Sequence, residues 1–198
     1  MTRQKQTPVI SPVKEFYPSE YLEDSNKIAY SEDLTKGQMN YESDPSRNLV
    51  FFPLRHDKNA FNLILEGVVQ SNGIIRSDQF LTDSFCFELT NPSDTEALDH
   101  LGDAVFLRYP WIIEDFEYKS LVKKDKLWIK CKHKSGQYTF KHPFTTHQKK
   151  IAGFPIHTDM PLTLTTKLGG YVNWENKTYG VSLTLLKMEL PTQEEPER

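Results

Sequence analysis

Short runs rich in β-forming residues constrain the fold of this chain more than any other feature. In several of them apolar and polar residues alternate, which places successive side chains on opposite faces of a strand. The runs lie at residues 49–52, 61–69, 80–89, 104–107, 126–132, 162–167, 171–174 and 181–190. One short helix is predicted over residues 92–101, with Ser93 or Asp94 as its N-cap. The absence of a βαβ rhythm predicts an all-β fold, either a small β-barrel or a β-sandwich.

Turn signals suggest how some of these strands connect. Lys134-Ser135-Gly136 predicts a tight hairpin between residues 126–132 and 137–141. Gly169-Gly170 separates two further predicted strands, and residues 145–160 read as a long loop. A change in the phase of the apolar residues predicts a β-bulge near Leu185.

Three regions are expected along the chain. Residues 1–48 contain isolated apolar residues and four interrupting prolines, which favours an extended or disordered N-terminal arm. The tyrosines of this arm could still pack onto the domain. Residues 49–190 form the predicted β-barrel domain, and residues 191–198 form a short acidic tail.

Composition limits the cellular context. No apolar run approaches the roughly 18 residues needed to span a bilayer, so no membrane association is expected. The polar N-terminus lacks the apolar core of a signal peptide. Cys86 and Cys131 lie in alternating runs and read as small buried residues. The expected location is therefore intracellular rather than secreted.

Charge is strongly separated along the chain. Residues 78–117 carry ten acidic residues against Arg108 alone, whereas residues 119–150 carry ten lysines, three histidines and one acidic residue. Separation on this scale favours a directed electrostatic field over simple solubility. The basic segment is therefore the first candidate for a binding surface.

The run 126–132 gives this basic segment a geometry. As a strand it would turn Leu127, Ile129 and Cys131 to the core. Lys126, Trp128, Lys130 and Lys132 would face outwards, around an indole ring. Stacking of a base on such a ring contributes roughly 1–3 kcal/mol, and lysines add salt-dependent phosphate contacts. The predicted nucleic-acid-binding residues are Trp128, Lys126, Lys130, Lys132, Lys141, Lys149, Lys150, Tyr109, Trp111 and Trp174.

Metal binding and catalysis find little support in the sequence. Cys131, His133, His142 and His147 lack the paired spacing of a zinc site and lie among lysines. His157 and Asp159 have no nucleophile motif beside them. We therefore expect no metal, no cofactor and no enzymatic activity.

Two C-terminal motifs support a resemblance to a known family. Gly170-Tyr171-Val172-Asn173-Trp174, followed by residues 179–185 and Met188-Glu189-Leu190, resembles the closing segment of OB-fold single-stranded DNA-binding proteins of phages and large DNA viruses. Residues 124–132 are similar to the basic strand that such proteins place earlier. The resemblance implies an OB-like barrel that coats single-stranded DNA, possibly RNA, in replication or recombination. It also implies replication proteins as possible partners, and a possible homo-oligomer.

A second interpretation remains open. The chain could be a structural or interaction protein, such as a capsid-like β-sandwich subunit. Its polar arm would then reach neighbouring subunits, and its lysines would form a solvated rim. Binding of a single-stranded oligonucleotide distinguishes the two.

Overall fold

The computed structural model describes residues 12–24, 27–30, 49–70, 75–77, 82–124, 126–132, 138–142, 145–149 and 158–190. For some strand residues, including 128, 130–132, 138–142 and 145–149, only the backbone is described. The helices in these ranges are α1 (Pro18–Glu23), α2 (Pro92–Phe106) and α3 (Pro110–Asp115). The strands are β1 (Lys14–Phe16), β2 (Ile28–Tyr30), β3 (Leu49–His56), β4 (Phe61–Val69), β5 (Ile75–Ser77), β6 (Thr82–Leu89), β7 (Glu117–Tyr118), β8 (Val122–Lys123), β9 (Lys126–Lys132), β10 (Tyr138–His142), β11 (Thr145–Lys149), β12 (Pro161–Asn173) and β13 (Thr178–Glu189).

The strands form a mixed sheet in the order β11-β10-β13-β12-β4-β6-β9-β8. Within it, β4 is antiparallel to both β6 and β12, and β6 is antiparallel to β9. The order β12-β4-β6-β9 is that of a Greek key, because the last of these strands in sequence returns beside the first. The prediction of a β-rich fold is therefore confirmed.

The sheet curls, as the position of β13 shows. This strand pairs with β12 along one edge, while β7 and β10 pair with its other edge. β9 also lies close to β13, although β12, β4 and β6 separate the two in the strand order. The sheet therefore bends enough to bring β9 close to β13.

The core lies inside this curled sheet. Phe85, Phe87 and Leu89 of β6 are buried, as the alternation predicted, whereas Glu88 between them is exposed. The two described inner positions of β9 are fully buried as well, with Leu127 2% and Ile129 0% exposed. Burying an aliphatic side chain of this size contributes about 1.5–3 kcal/mol, so β9 is held firmly by its apolar half.

Helix α2 covers part of this core and is longer than predicted. Asn91 is its N-cap, since the side-chain oxygen accepts a hydrogen bond from the Ser93 amide at 3.0 Å. Ser93 and Asp94 lie inside the helix. Its buried face continues to Phe106, so the prediction of a strand over 104–107 is wrong. Leu98, Leu101 and Val105 follow the helical spacing of three to four residues, which outweighs the short β-like run.

The prediction of an N-terminal arm is wrong for residues 14–24 and 27–30. Strand β1 pairs in parallel with β4, and β2 pairs with β3. Between them, Tyr21 of α1 is fully buried and stacks on Phe61 with ring centroids 4.4 Å apart. The Ser19 hydroxyl and amide both donate to Asp94 of α2. The rings of Phe16 and Tyr21, the buried Ile28 and a few polar contacts fix this segment, which has no periodicity of its own. The rest of residues 1–48 and the predicted tail lie outside the described ranges.

Three strand connections also differ from prediction. The neighbours of β9 are β6 and β8, and those of β10 are β11 and β13, so the predicted hairpin between β9 and β10 is wrong. Strand β11 lies within the predicted loop at 145–160. Gly169 and Gly170 continue β12 instead of ending it, because β3 and β13 pair with both residues.

The predicted bulge near Leu185 is confirmed. The register of β12 and β13 shifts so that Thr166 pairs with Leu185 and Thr165 with Lys187. Leu186 is left without a partner in this ladder and is 41% exposed, while Met188 returns to the core. The bulge explains the change of phase along β13.

Candidate nucleic-acid interface

The candidate interface begins with the basic strand β9. Lys126 is partly exposed and pairs with Lys123 of β8. In the ladder with β6, Trp128 lies opposite Cys86, Lys130 opposite Ser84 and Lys132 opposite Thr82. The side chains at 128, 130 and 132 lie outside the description, so their contacts with a ligand stay predictions.

The other predicted lysines follow β9 along the chain. Lys141 lies in β10, opposite Glu189 of β13, and Lys149 lies in β11, opposite Tyr138. Lys150 lies outside the described residues. β12 pairs along one edge of β13, so β7 and β10 pair with the other edge. β9, which lies between β7 and β10 in the sequence, also comes close to β13. The fold therefore brings the basic segment to one side of β13.

Two predicted aromatic residues, Trp111 and Trp174, lie together with Phe116 and Lys177 in what we call the indole cluster. The indoles of Trp111 and Trp174 stack with centroids 5.8 Å apart and planes inclined by 22°. Phe116 meets Trp174 edge-on at 5.0 Å. Lys177 Nζ lies 4.8 Å from the centroid of Phe116 and 5.3 Å from that of Trp174. One face of each indole is thus taken by the other, and a cation covers the cluster.

The turn between β12 and β13 positions this cluster. Asn173 accepts a hydrogen bond from the Asn176 amide at 3.0 Å, and Lys177 adopts a positive φ of 50°. Helix α3 brings Trp111 to the turn because Ile112, the next residue, is anchored in the core at 0% exposure. The indole nitrogen of Trp174 is buried and has no hydrogen-bond partner among the described residues.

Tyr109 does not belong to the interface. It is the N-cap of α3, is 8% exposed and packs its ring against Phe106 of α2 at 6.5 Å. A ring buried in the core offers no face to a base, so the prediction that Tyr109 stacks on nucleic acid is wrong. Trp111 lies in the same aromatic segment but is partly exposed. Residue type alone therefore could not distinguish the buried Tyr109 from Trp111.

A further surface, which the sequence did not single out, covers the outer side of β3, β12 and β13. We call it the Phe51 face. It consists of Phe51, Pro53, Lys167, Tyr171, Ser182 and Thr184. Phe51 is 53% exposed, and its centroid lies 6.1 Å from that of Tyr171, its partner in the ladder. Part of the face lines an open cleft of about 420 Å³.

A glycine makes room for the tyrosine of this face. Gly180 pairs with Tyr171 across β12 and β13. A Cβ atom at Gly180 would lie 3.0 Å from the Tyr171 hydroxyl oxygen and 2.7 Å from the carbonyl oxygen of Lys119. The phenol therefore lies across the backbone of β13, and burial there raises the pKa of Tyr171.

Several residues of the acidic segment have structural partners. Asp94 is buried and accepts both hydrogen bonds from Ser19. Asp99 accepts a hydrogen bond from the Ser120 hydroxyl, and its backbone carbonyl accepts one from Tyr118 at 2.9 Å. Burial raises the pKa of Tyr118 to about 12. These acidic side chains thus help to hold α1 and the segment before β8 against α2.

Two negative findings concern the described part of the chain. It contains no group of three histidine, cysteine or acidic side chains placed to hold a metal ion. Nor does any of its helices have both the length and the apolar character needed to cross a membrane.

Comparison with known proteins adds no relative. The chain matches no protein-family model, and neither a curated protein nor a solved structure is detectably similar to it.

Proposed function

We propose that this protein binds single-stranded DNA on the outer side of an OB-type barrel, through stacking on Trp128 and phosphate contacts from the lysines of β9. The observation that carries the proposal is the burial of Leu127 and Ile129 inside the curled sheet. Strand geometry then assigns positions 126, 128, 130 and 132 to the opposite face. That is the arrangement of one ring among cations that suits a single-stranded polyanion.

The topology supports the barrel form of this fold. An OB-fold is a five-stranded, partly open Greek-key barrel. Here β12, β4, β6 and β9 have the Greek-key order, β13 pairs with β12, and β9 approaches β13. The approach of β9 to β13 supports the proposal of a barrel, because a sandwich of two separate sheets does not require these two strands to meet.

Further stacking positions and partners belong to the same proposal. Trp111 and Trp174 remain candidates because both are partly exposed beside the turn between β12 and β13. Lys141, Lys149 and Lys150 extend the basic path beyond β9. A role in replication or recombination, possible replication-protein partners, possible homo-oligomers and an intracellular location complete the proposal.

Titration with a fluorescently labelled oligo-dT, followed by anisotropy at low salt, tests it. The wild-type protein should bind. Trp128→Ala should weaken binding by about 1–3 kcal/mol, because one base can no longer stack. Trp128→Phe should retain most of the affinity, since it keeps a ring. Replacing Lys130 and Lys132 by Gln should flatten the dependence of log Kd on log salt by about 0.7 for each phosphate that is no longer neutralised.

Controls separate these effects from general changes. Lys14→Gln removes an exposed lysine on β1, far along the chain from β9, and should leave the salt slope unchanged. Competition with oligo-U and with duplex DNA measures the preference among nucleic acids. Absence of any anisotropy change with the wild-type protein at low salt would rule out single-strand binding.

A further inference from the structure

We infer that the Phe51 face is a second contact surface for the same single strand, with a base stacked on Phe51 and a phosphate held by Lys167. The inference rests on the proposed function, and it extends the binding path beyond β9. Its evidence comes from different residues: an exposed ring, a lone cation and the way the sheet separates this face from the acidic helix.

The ring of Phe51 is exposed, whereas the next side chain of the same strand is buried. Its neighbour Phe52 is 4% exposed and packs on Phe106 of α2, with centroids 5.6 Å apart. Successive residues of a strand point to opposite faces, so Phe51 lies on the side of the sheet away from α2. A large apolar side chain that is 53% exposed contributes little to the core, and together with the neighbouring Tyr171 it forms an aromatic patch, the kind of feature that marks a binding surface.

The ring is also held in position. Tyr171 lies beside it, at 6.1 Å between centroids and 49° between planes, and the Tyr171 hydroxyl rests over Gly180. The two rings and the glycine backbone therefore form a supported platform. A platform that is already ordered loses little conformational entropy when a base stacks on it.

The charge of the face suits an anion. Among the described residues that line the cleft, Lys167 is the only charged side chain, and it is exposed. Ser182 and Thr184 add hydroxyl donors beside it. The carboxylates of α2 lie across the sheet, on the side of Phe52. The outer side therefore presents one cation and hydrogen-bond donors without a competing acidic group among these lining residues.

Size and continuity favour nucleic acid over a protein partner. A cleft of about 420 Å³ is in the range of a small-ligand pocket, suited to one nucleotide rather than to a helix. The face extends to β13 through Ser182 and Thr184, and β9 comes close to the same strand. Two paired-strand spacings, roughly 10 Å, separate β3 from β13. One OB-type site covers about 4–16 nucleotides, so a single bound strand can reach both surfaces.

Binding of labelled oligo-dT by variants of the face tests the inference. Phe51→Ala should raise Kd by about 5- to 150-fold, the stacking contribution of one base. Phe51→Trp should bind as the wild type does, and DNA should quench the fluorescence of the added tryptophan. Lys167→Gln should reduce the slope of log Kd against log salt by about 0.7.

Matched controls lie away from the face. Leu107→Ala removes another exposed apolar side chain, 70% exposed at the end of α2, and Lys14→Gln removes another exposed lysine. Both should bind like the wild type. Far-ultraviolet circular dichroism and the urea midpoint should be close to those of the wild type for all variants, because none of these side chains belongs to the core.

The outcomes separate this inference from the proposed function. Failure of the wild type to bind any single strand overturns both. Wild-type binding with unchanged affinity and salt slope in Phe51→Ala and Lys167→Gln overturns the second surface alone and leaves the β9 site standing. A concentration-dependent dimer that Phe51→Ala abolishes, with DNA affinity unchanged, would show that a second copy of the chain occupies the face instead.

Discussion

Gly102→Ala tests how α2 is seated against the sheet. A Cβ atom at position 102 would overlap Cε2 and Cζ of the Tyr118 ring. Alanine gains about 0.8–1.0 kcal/mol over glycine in a helix interior. Overpacking costs about 1–3 kcal/mol, and displacing the phenol breaks its hydrogen bond to the Asp99 carbonyl, which contributes about 0.5–1.5 kcal/mol. The net expectation is a loss of roughly 0.5–3.5 kcal/mol in the free energy of unfolding.

Urea denaturation of Gly102→Ala in two backgrounds measures this balance. In the wild-type background the substitution should destabilise the protein. In a Tyr118→Ala background the ring is gone, so the same substitution should stabilise it by up to about 1 kcal/mol through helix propensity alone. A Gly102→Ala protein as stable as the wild type, with no change of sign between backgrounds, would refute the packing argument.

Two further predictions concern the core and the pH dependence of stability. Ile129→Ala should lower the free energy of unfolding by about 2–5 kcal/mol, because the side chain is fully buried in β9. Glu88→Ala, on the exposed side of β6, should change it by no more than about 0.5 kcal/mol. Equal losses for the two variants in urea denaturation would contradict the inward assignment of β9. The pKa of Tyr118 is raised from 10.0 to about 12 by burial, so the folded phenol keeps its proton where the unfolded one loses it, and stability should fall as pH rises from 10 to 12. Because the ring is only partly buried and solvent screens it, its share of this fall should be about 1–2 kcal/mol. Denaturation curves of Tyr118→Phe across that pH range should show a fall smaller by this amount, since Tyr171, whose pKa burial also raises, still contributes.

The sequence predicted the strands whose side chains alternate strictly. Phe85 and Phe87 are buried while Glu88 is exposed, and Leu127 and Ile129 are buried as the pattern required. It also predicted the bulge in β13, because a bulge shifts the phase of the apolar residues and leaves a visible mark in the sequence. Each of these patterns is formed by residues that lie close together in the sequence.

The features that the sequence did not predict depend on distant partners. Tyr21 lies in a polar segment, and it is buried because the rings of Phe61 in β4 and His56 in β3 lie beside it. The pairing of β10 with β13 depends on residues almost fifty positions apart. Lys134-Ser135-Gly136 is a good hairpin signal, yet tertiary pairing decided the neighbours of both flanking strands. No short window of the sequence contains this information.

The candidate site likewise has a part that local sequence patterns predicted and a part that depends on distant residues. The basic strand was found because its charge and alternation occur together in seven residues. The Phe51 face was missed because Phe51 and Phe52 are adjacent, and two neighbouring phenylalanines in an apolar run read as core. Strand geometry allows only one of them to face the interior of a sheet that is covered on one side. Once Phe106 of α2 packs on Phe52, Phe51 must lie on the opposite side of the sheet with Lys167. The helix that completes the core therefore also determines which face of β3 carries the exposed ring.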